Sequence, residues 1–347
     1  MTITTAFTEL VGCRVPVQQA GMGGASTPEL AAAVSGAGGL GMLTATAGDL
    51  SADIDAVLRD APGRPFGVNF LMPFFDPAQL DAVAPRVPLV EWFWSQPDPI
   101  LVGVAHDAGA LVAWQVGSVD EALAAVDAGC DLIVAQGIEA GGHVRGTVGL
   151  LPLLDAVLDA VDVPVVAAGG IGTARGLAAV LAGGASAARI GTRFVATVES
   201  GAHPSYQHAL VVAEANETVL TEAYSVWWSD PVHRAHRVLR SAVESAEALD
   251  EEFVGDASGG GEPFQIPRFA VRPPDRATRG RIDAMALYAG QSVGAVRAVM
   301  PAAEVVRELA EGAERLLNTA GHLSQPSTAA RTPEGPRRPV PHSTIST

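Results

Sequence analysis

The residues best placed to do chemistry lie in short glycine-rich segments that follow apolar runs. Gln136-Gly137-Ile138-Glu139-Ala140-Gly141-Gly142-His143 ends one such run. An imidazole titrates near neutrality, so His143 is a candidate acid–base group, able to take a proton from carbon or oxygen at working pH. A lone histidine often serves structure, but this one stands in a glycine-flanked loop where few side chains would crowd a ligand. Glu139, four residues earlier, is a candidate second acid but reads rather as a residue that orders the loop. Two further runs end in Gly169-Gly170 and Gly191-Thr192, each before a helical stretch or turn. Glycine lets backbone N–H groups approach an anion closely, and a helix N-terminus adds positive potential. The two segments together form a candidate phosphate cradle, although tight turns alone would also use glycine. Arg193 is either a further phosphate partner or half of a structural ion pair.

These residues need elements to position them. Eight β-rich runs, at 15–21, 39–45, 65–71, 87–94, 110–117, 131–137, 163–170 and 185–194, recur roughly every 20–30 residues. Between them lie amphipathic stretches such as TPELAAAVSGAG, SVDEALAAVDAG and TARGLAAVLAGG, which open on Ser or Thr and close on Gly as helix caps should. Strands that read apolar throughout are buried on both faces, as in a parallel sheet. Eight such units predict an α/β fold, a (β/α)8 TIM barrel, in which chemistry sits at the C-terminal ends of the strands. There strand one offers Ala20, Met22 and Gly23, strand three Asn69, strand five Gln115 and strand six Gln136. The rims of strands seven and eight are where barrels commonly hold a phosphate, of a substrate or of FMN. GGIGTARG has the wrong glycine spacing for a dinucleotide fingerprint. The expected division is a barrel over 1–202, a mainly helical insertion over 203–290 following strand eight, closing helices over 291–318 and a disordered C-terminal tail over 319–347, rich in Ser, Thr, Pro and Arg.

Composition narrows the function. The chain has 347 residues, 48% hydrophobic and 17% charged, enough for a sizeable core. Its 38 acidic residues outnumber 22 basic ones, a formal charge of −16 that repels phosphate backbones and argues against nucleic-acid partners. Every basic residue is Arg, which excludes a lysine Schiff base, a lysine general base and a Walker lysine. Apolar runs are too short to span a bilayer, and the N-terminus lacks the pattern of a secretory signal. Cys13 and Cys130 lie far apart, form no metal pattern and read as small core residues in a reducing cytoplasm. No metal site and no G-x-S-x-G elbow appear. The apolar content of the insertion suits a homodimer.

The segments QQAGMGGASTPELAAAVSGAGGLGML, PFGVNFL, AQGIEAGGHVRG, VPVVAAGGIGTARGLAAVLAGGASAARIGTRF and YAGQSVGAVRAVMPAAEVV carry a resemblance running from about Val15 to Leu317. The chain resembles the nitronate monooxygenase family of FMN-dependent barrels, and also looks much like flavin-dependent enoyl-ACP reductases. The first resemblance implies oxidation of an alkyl nitronate, or of a nitroalkane, by O2 to a carbonyl compound and nitrite, with a small-molecule substrate as the partner. It implies FMN held by Ala20, Met22, Gly23, Asn69, Gln115 and Gln136, with Gly141 and Gly142 along the flavin. Gly169, Gly170, Gly191 and Thr192 would take its phosphate. His143 would correspond to the family's catalytic histidine, and Gln291 would reach the substrate from the closing segment. Two departures stand out. Gly21 replaces a frequent proline, and Gln115 stands where members often place Lys, keeping hydrogen bonding without the charge. The alternatives are an NAD(P)H-dependent reductase of activated alkenes and a barrel that binds a phosphorylated ligand without redox chemistry.

Overall fold

Each of the eight expected runs contains a parallel strand in the computed structural model, which describes residues 3–45, 49–230, 232–258 and 262–323. In order these are Val17–Gln19, Gly41–Ala45, Phe66–Leu71, Leu89–Phe93, Leu111–Val116, Leu132–Gln136, Val165–Ala168 and Ala187–Ile190. They pair sequentially, strand eight returns to strand one, and a bridge between Gln18 and Leu40 closes strand one on strand two. The Gln19 side chain strengthens that seam, its Oε1 accepting from the Met42 N–H at 2.8 Å.

Helices fill the crossovers where the caps predict them. The hydroxyls of Thr27, Ser118 and Thr173 accept N–H groups of Leu30, Glu121 and Gly176 at the starts of helices Pro28–Ala37, Val119–Asp127 and Ala174–Ala182. The first of these closes on Gly38 at φ +106°, a left-handed end that glycine adopts without strain.

Alternation along each strand sorts side chains into an outer and an inner set. Phe70, Trp92, Trp114, Ile133 and Ala167 pack outward beneath Leu30, Ile54, Leu153, Leu177 and Val305 of the helices. Inside, Leu89, Ala113, Leu132, Val134, Val166 and Ala187 form an apolar floor with Leu40 and Met42. The N-terminal helix Ala6–Val11 plugs this floor with Phe7 and Val11. Two strand positions nearer the C-terminal end, the interior turns polar, with Asn69, Glu91, Gln115, Gln136 and Arg189 all buried. Above that layer the mouth is aromatic.

The segment 203–290 corrects the expectation of a mainly helical insertion. It holds helices Pro204–Val212 and Arg240–Glu247, but also strands Thr218–Thr221, His236–Leu239, Phe253–Ala257, Phe264–Pro267 and Arg279–Gly280. These strands are two to five residues long. Such runs are too short for a period of two to stand out against helical spacing in sequence. They build two small antiparallel sheets over a core of their own, with Tyr206, Leu210, Tyr224, Val238, Ile266 and Leu287.

The closing segment is only partly helical. A 3-10 turn covers Gln291–Ala295, and the long helix begins at Ala302, just after Pro301, and runs to Leu323. It therefore continues past the expected start of the disordered tail at 319, and residues 324–347 lie outside the described residues. Among the described residues no helix is long and apolar enough to cross a membrane.

Candidate active site

The loop after strand six is held from three sides. Glu139 caps the helix Leu150–Ala160, both carboxylate oxygens accepting the Leu150 N–H at 2.9–3.0 Å, which is the ordering role read from its position. Arg237 of the insertion donates through Nε and Nη2 to the Ile138 carbonyl at 3.2 and 2.9 Å. Gly142 and His143 then form a strand of their own, pairing antiparallel with Arg237 and His236. The candidate base is thus a strand residue of the insertion's sheet and a rim residue of the barrel at once. From inside the barrel, Gln136 donates through Nε2 to the His143 carbonyl at 2.9 Å, while its Oε1 is buried and unpartnered.

The His143 ring is enclosed by aromatic groups. Trp228 stacks on it at 3.9 Å between centroids and 12° between planes. Trp94 meets it edge-on at 5.4 Å, with Tyr288 at 5.5 Å and His236 at 5.7 Å. Nε2 of His143 is buried without a hydrogen-bond partner. Burial, with a smaller contribution from His236, pushes the imidazole well below its ordinary range. Burial therefore favours the neutral ring, which keeps one nitrogen as an acceptor. Trp94 reaches this position because strand four ends in a left-handed turn, with Trp94 at φ +81°. A bulky residue there is strained, which fits a functional position held by its surroundings.

The two glycine rims are adjacent, because strand seven pairs with strand eight up to Ala168 and Arg189. Gly169 and Gly170 have φ of +103° and +69°, so both backbones turn in a way that glycine favours. A Cβ on Gly169 would sit 3.0 Å from the Gly137 carbonyl oxygen, so this turn must lie bare against the strand-six loop. Gly191 is less crowded, with Ala20 Cβ and Met22 Sδ at 3.6 Å from where a Cβ would be. Strand one's end and strand eight's end therefore meet, as the combined reading of Ala20, Met22 and Gly191 requires. Gly23, at φ +56°, faces open space. Thr192 is buried and its Oγ1 accepts the Gly290 N–H at 3.0 Å, leaving the hydroxyl hydrogen free to donate.

Other expected residues are placed differently. Gly141 packs against the end of the insertion, a Cβ there falling 2.3 Å from the Gly290 nitrogen, whereas Gly142 faces open space. Gln291 donates its N–H to the Glu139 carbonyl at 2.9 Å, but the residue is exposed. Arg193 donates to Glu308 at 2.9 Å, tying it to the closing helix, while its Nη1 is buried without a partner. Gly21 is tightly packed, because a Cβ would lie 2.7 Å from that of Asn69. Gln115 is buried in the polar layer. Both cysteines are buried, and burial pushes each thiol up to about 12, which fits core residues rather than nucleophiles.

Sequence reading missed a buried network beneath the site. Glu91 is fully buried and pairs with Arg189 across the barrel. Asn69 Nδ2 donates to Glu91 Oε1 at 2.7 Å, and Gln18 Nε2 donates to Oε2 at 3.0 Å. Asn69 is thereby fixed with its amide nitrogen occupied and its oxygen turned elsewhere. A lone Glu in the apolar run VPLVEWFW and an Arg among the small residues of ASAARI carried the signal. Trp94, Trp228, Tyr288 and His236 were also missed, and no local motif marks them.

These features fit a flavin phosphate and ring. The rim is open at Gly23 and Gly142, and Gln136 Oε1 and His143 Nε2 are buried atoms in want of partners. Among the described residues no group of His, Cys, Asp or Glu could hold a metal ion.

A relative from Rhodococcus jostii, (3aS,4S,5R,7aS)-5-hydroxy-7a-methyl-1-oxo-octahydro-1H-indene-4-carboxyl-CoA dehydrogenase, is 39% identical over 63% of this chain, and the match spans 63% of its own length. A nitronate monooxygenase from Pseudomonas aeruginosa is 34% identical, covering 89% of this chain and 99% of the relative. Among solved structures, FabK from Thermotoga maritima superposes with a TM-score of 0.75 at 30% identity, over 93% of this chain and all of that one. Nitroalkane oxidase from Streptomyces ansochromogenes gives a TM-score of 0.69 at 33% identity, over 91% and 99% of the two chains. The family described as nitronate monooxygenase matches residues 4–86 and 77–312, well over half of the chain. With matches of this extent, the chain belongs to the nitronate monooxygenase family of oxidoreductases.

Proposed function

We propose that the protein is an FMN-dependent enzyme that oxidises alkyl nitronates, or the parent nitroalkanes, with O2 to a carbonyl compound and nitrite. The observation that carries this reading is the buried, partnerless Nε2 of a neutral His143 at the mouth of the barrel, beside the glycine rims. Bound FMN would supply the acceptor for substrate electrons and the route to oxygen. Gly169, Gly170, Gly191 and Thr192 would hold its phosphate through backbone N–H groups and one hydroxyl. Ala20, Met22, Gly23, Asn69, Gln115, Gln136 and Gly142 would border its ring.

The chain's own residues then divide the work. His143 takes the α-proton at Nε2 when a neutral nitroalkane binds, and donates a hydrogen bond to the nitro group once protonated. Gln136 and the pairing with His236 fix the backbone of His143, so the base cannot drift from the reacting carbon. Trp94, Trp228 and Tyr288 exclude water and keep the imidazole neutral until it is used. Glu91 and Arg189 cancel each other's charge below the site and hold Asn69 toward the cofactor face.

A second reading keeps the flavin site and changes the substrate to one with hydrogen on a carbon beside a carbonyl, or the donor to a pyridine nucleotide. The dehydrogenase relatives from Rhodococcus jostii and, at 36% identity, Mycobacterium tuberculosis support it. Anaerobic mixing separates the readings. Bleaching of the yellow protein by a nitronate alone, with nitrite formed on admitting air, is the expected result. Rapid bleaching by NADH or NADPH, with none by nitronates, would replace the first reading with the second. A purified protein with no flavin absorbance, even after FMN is added, would leave a phosphate-binding barrel without redox chemistry.

A further inference from the structure

The acidic character of the chain breaks down in one stretch. Residues 268–281 hold five of the 22 basic residues and a single acid, Asp275, a local charge of +4 in a chain of −16. An even spread would place about one arginine there. Two of the five serve structure. Arg268 donates to the carbonyls of Ala246 and Leu249, and Arg281 pairs with Asp283 at 2.9 Å. The other three gather around one turn. Arg272 pairs with Asp275, whose second oxygen accepts the Ala277 N–H at 2.9 Å and the Thr278 hydroxyl at 3.0 Å. Arg276 and Arg279 are exposed and donate to carbonyls, Arg276 to Val198 at 2.6 Å and Arg279 to Arg276 and Thr278 at 3.3 and 3.1 Å. Asp256 stands across from Arg279 in the strand pairing and offsets part of its charge. The field nevertheless stays positive. Burial first and Arg279 second push the imidazole of His203 below its ordinary range, and Asp275 opposes them more weakly.

This ridge reaches the mouth of the barrel. Val271 packs with Trp94 and Trp228, and its carbonyl accepts the Tyr288 hydroxyl at 2.7 Å. Four residues on, the Asp275 carboxylate lies 4.0 Å from where a Cβ on Gly24 would stand. The segment 271–275 thus runs from the rings around His143 to the turn after strand one. Arg272 lies on that span, its Nε buried without a partner. Its guanidinium sits over the Phe264 ring at 5.5 Å, and Trp227 meets the same ring edge-on at 6.0 Å. Trp227 has φ +73°, a strained setting for a bulky residue. Burial does not compensate for that strain, because the residue is 46% exposed. Strain of this kind marks positions kept for something other than packing.

We propose that Arg272, Arg276, Arg279 and Trp227 form a nucleotide site at the entrance, the arginines contacting phosphate groups and the indole stacking on a purine. A guanidinium fork matches phosphate oxygens in pairs, and an exposed indole offers a flat face to any base. The ligand is an adenosine nucleotide with a second phosphate on its ribose. That tail is shared by coenzyme A thioesters and by NADPH. It anchors outside the barrel and leaves the reactive end free to enter. The site goes beyond the nitronate reading and does not depend on it.

Calorimetric titration of the full-length flavoprotein tests it. The probes are adenosine 3′,5′-diphosphate, the tail of coenzyme A, and adenosine 2′,5′-diphosphate, the tail of NADPH. At least one should bind at least about tenfold more tightly than adenosine. Arg276→Gln and Arg279→Gln keep a side-chain donor and remove the charge, and each should weaken that probe by about tenfold. Trp227→Ala should weaken it by a similar factor. Arg281→Gln, at a paired arginine outside the site, should change it by less than about twofold. Tighter binding of the 3′ isomer supports the site and assigns it to a thioester carrier. Tighter binding of the 2′ isomer supports it equally and assigns it to a reduced dinucleotide. Binding of both probes no better than adenosine overturns the proposal. A loss at Arg281→Gln as large as at Arg276 and Arg279 also overturns it, since overall charge and not a site would then be responsible. The titration involves no turnover, so a failure of nitronates to bleach the flavin removes the nitronate reading and leaves this result standing.

Discussion

The two walls of the site are built on different principles. The wall formed by strands seven, eight and one is largely backbone: Gly169, Gly170 and Gly191 line it with bare Cα atoms, and the Ala20–Gly23 turn meets Gly191. The opposite wall is side chain: His143, Trp94, Trp228, Tyr288 and His236 meet from four separate stretches of chain. A backbone wall gives the same shape to any member of the fold and suits a constant ligand such as a cofactor. A wall of rings from an insertion can be rebuilt without disturbing the barrel, and suits the part of the reaction that varies between relatives. The likeness to relatives named for different activities fits this division.

The comparison can be broken most severely at His143. His143→Ala removes the base from the side-chain wall and leaves the backbone wall intact. Turnover of a neutral nitroalkane should fall by about 10²–10⁴-fold with FMN content unchanged, as measured by initial rates and flavin absorbance. Unaltered rates would remove His143 from the chemistry. Because its pKa lies well below the ordinary value, the acid limb of kcat/KM should fall below pH 6.5.

Next in size is the buried pair between the two walls. Glu91→Ala leaves Arg189 charged and unpaired in a closed interior and should cost about 3–5 kcal/mol in urea unfolding. Replacing both residues with apolar ones should recover much of that loss. Additive losses in the double variant would show that the two side chains act independently.

A smaller effect separates the walls by pH. Burial pushes His236 down to about 4 from its ordinary 6.5. As the pH falls below 6.5 the unfolded chain takes up this proton first, so stability drops, and the loss ends near pH 4 once the folded protein is protonated too. Over that window the contribution is about 3 kcal/mol, present in full above pH 6.5. His236→Gln should flatten the pH dependence of the urea midpoint by that amount. An unchanged slope would show that His236 is not held neutral.

The smallest expected change tests the backbone wall. At Gly170, φ is +69° and a Cβ would lie 3.2 Å from that of Glu139. Gly170→Ala should therefore cost about 1–2 kcal/mol of local strain. FMN should bind about tenfold more weakly, while acylation of His143 by diethyl pyrocarbonate stays the same. Loss of His143 protection in that variant would mean that the walls are coupled.

The same division explains what was legible in the sequence. The eight strands, their caps and the glycine rims follow from local spacing, so each could be read within a window of about ten residues. His143 was legible because its flanking glycines are contiguous with a barrel strand. Glu91 and Arg189 were visible only as charges inside apolar runs, and their pairing depends on barrel closure. Trp228 and His236 carry no local signal, since a sheet of four-residue strands brings them to His143 from about ninety residues away. The expectation of a helical insertion failed for the same reason: stretches so short take their structure from long-range pairing rather than from period.

The central claim is that the glycine rims of strands seven and eight bind the phosphate of FMN beside His143. Equilibrium binding of FMN and of riboflavin to the stripped protein tests it most directly, because the two ligands differ only in that phosphate. FMN should bind at least about a hundredfold more tightly, the value expected for two or more charge-assisted hydrogen bonds. Equal affinities would contradict the account.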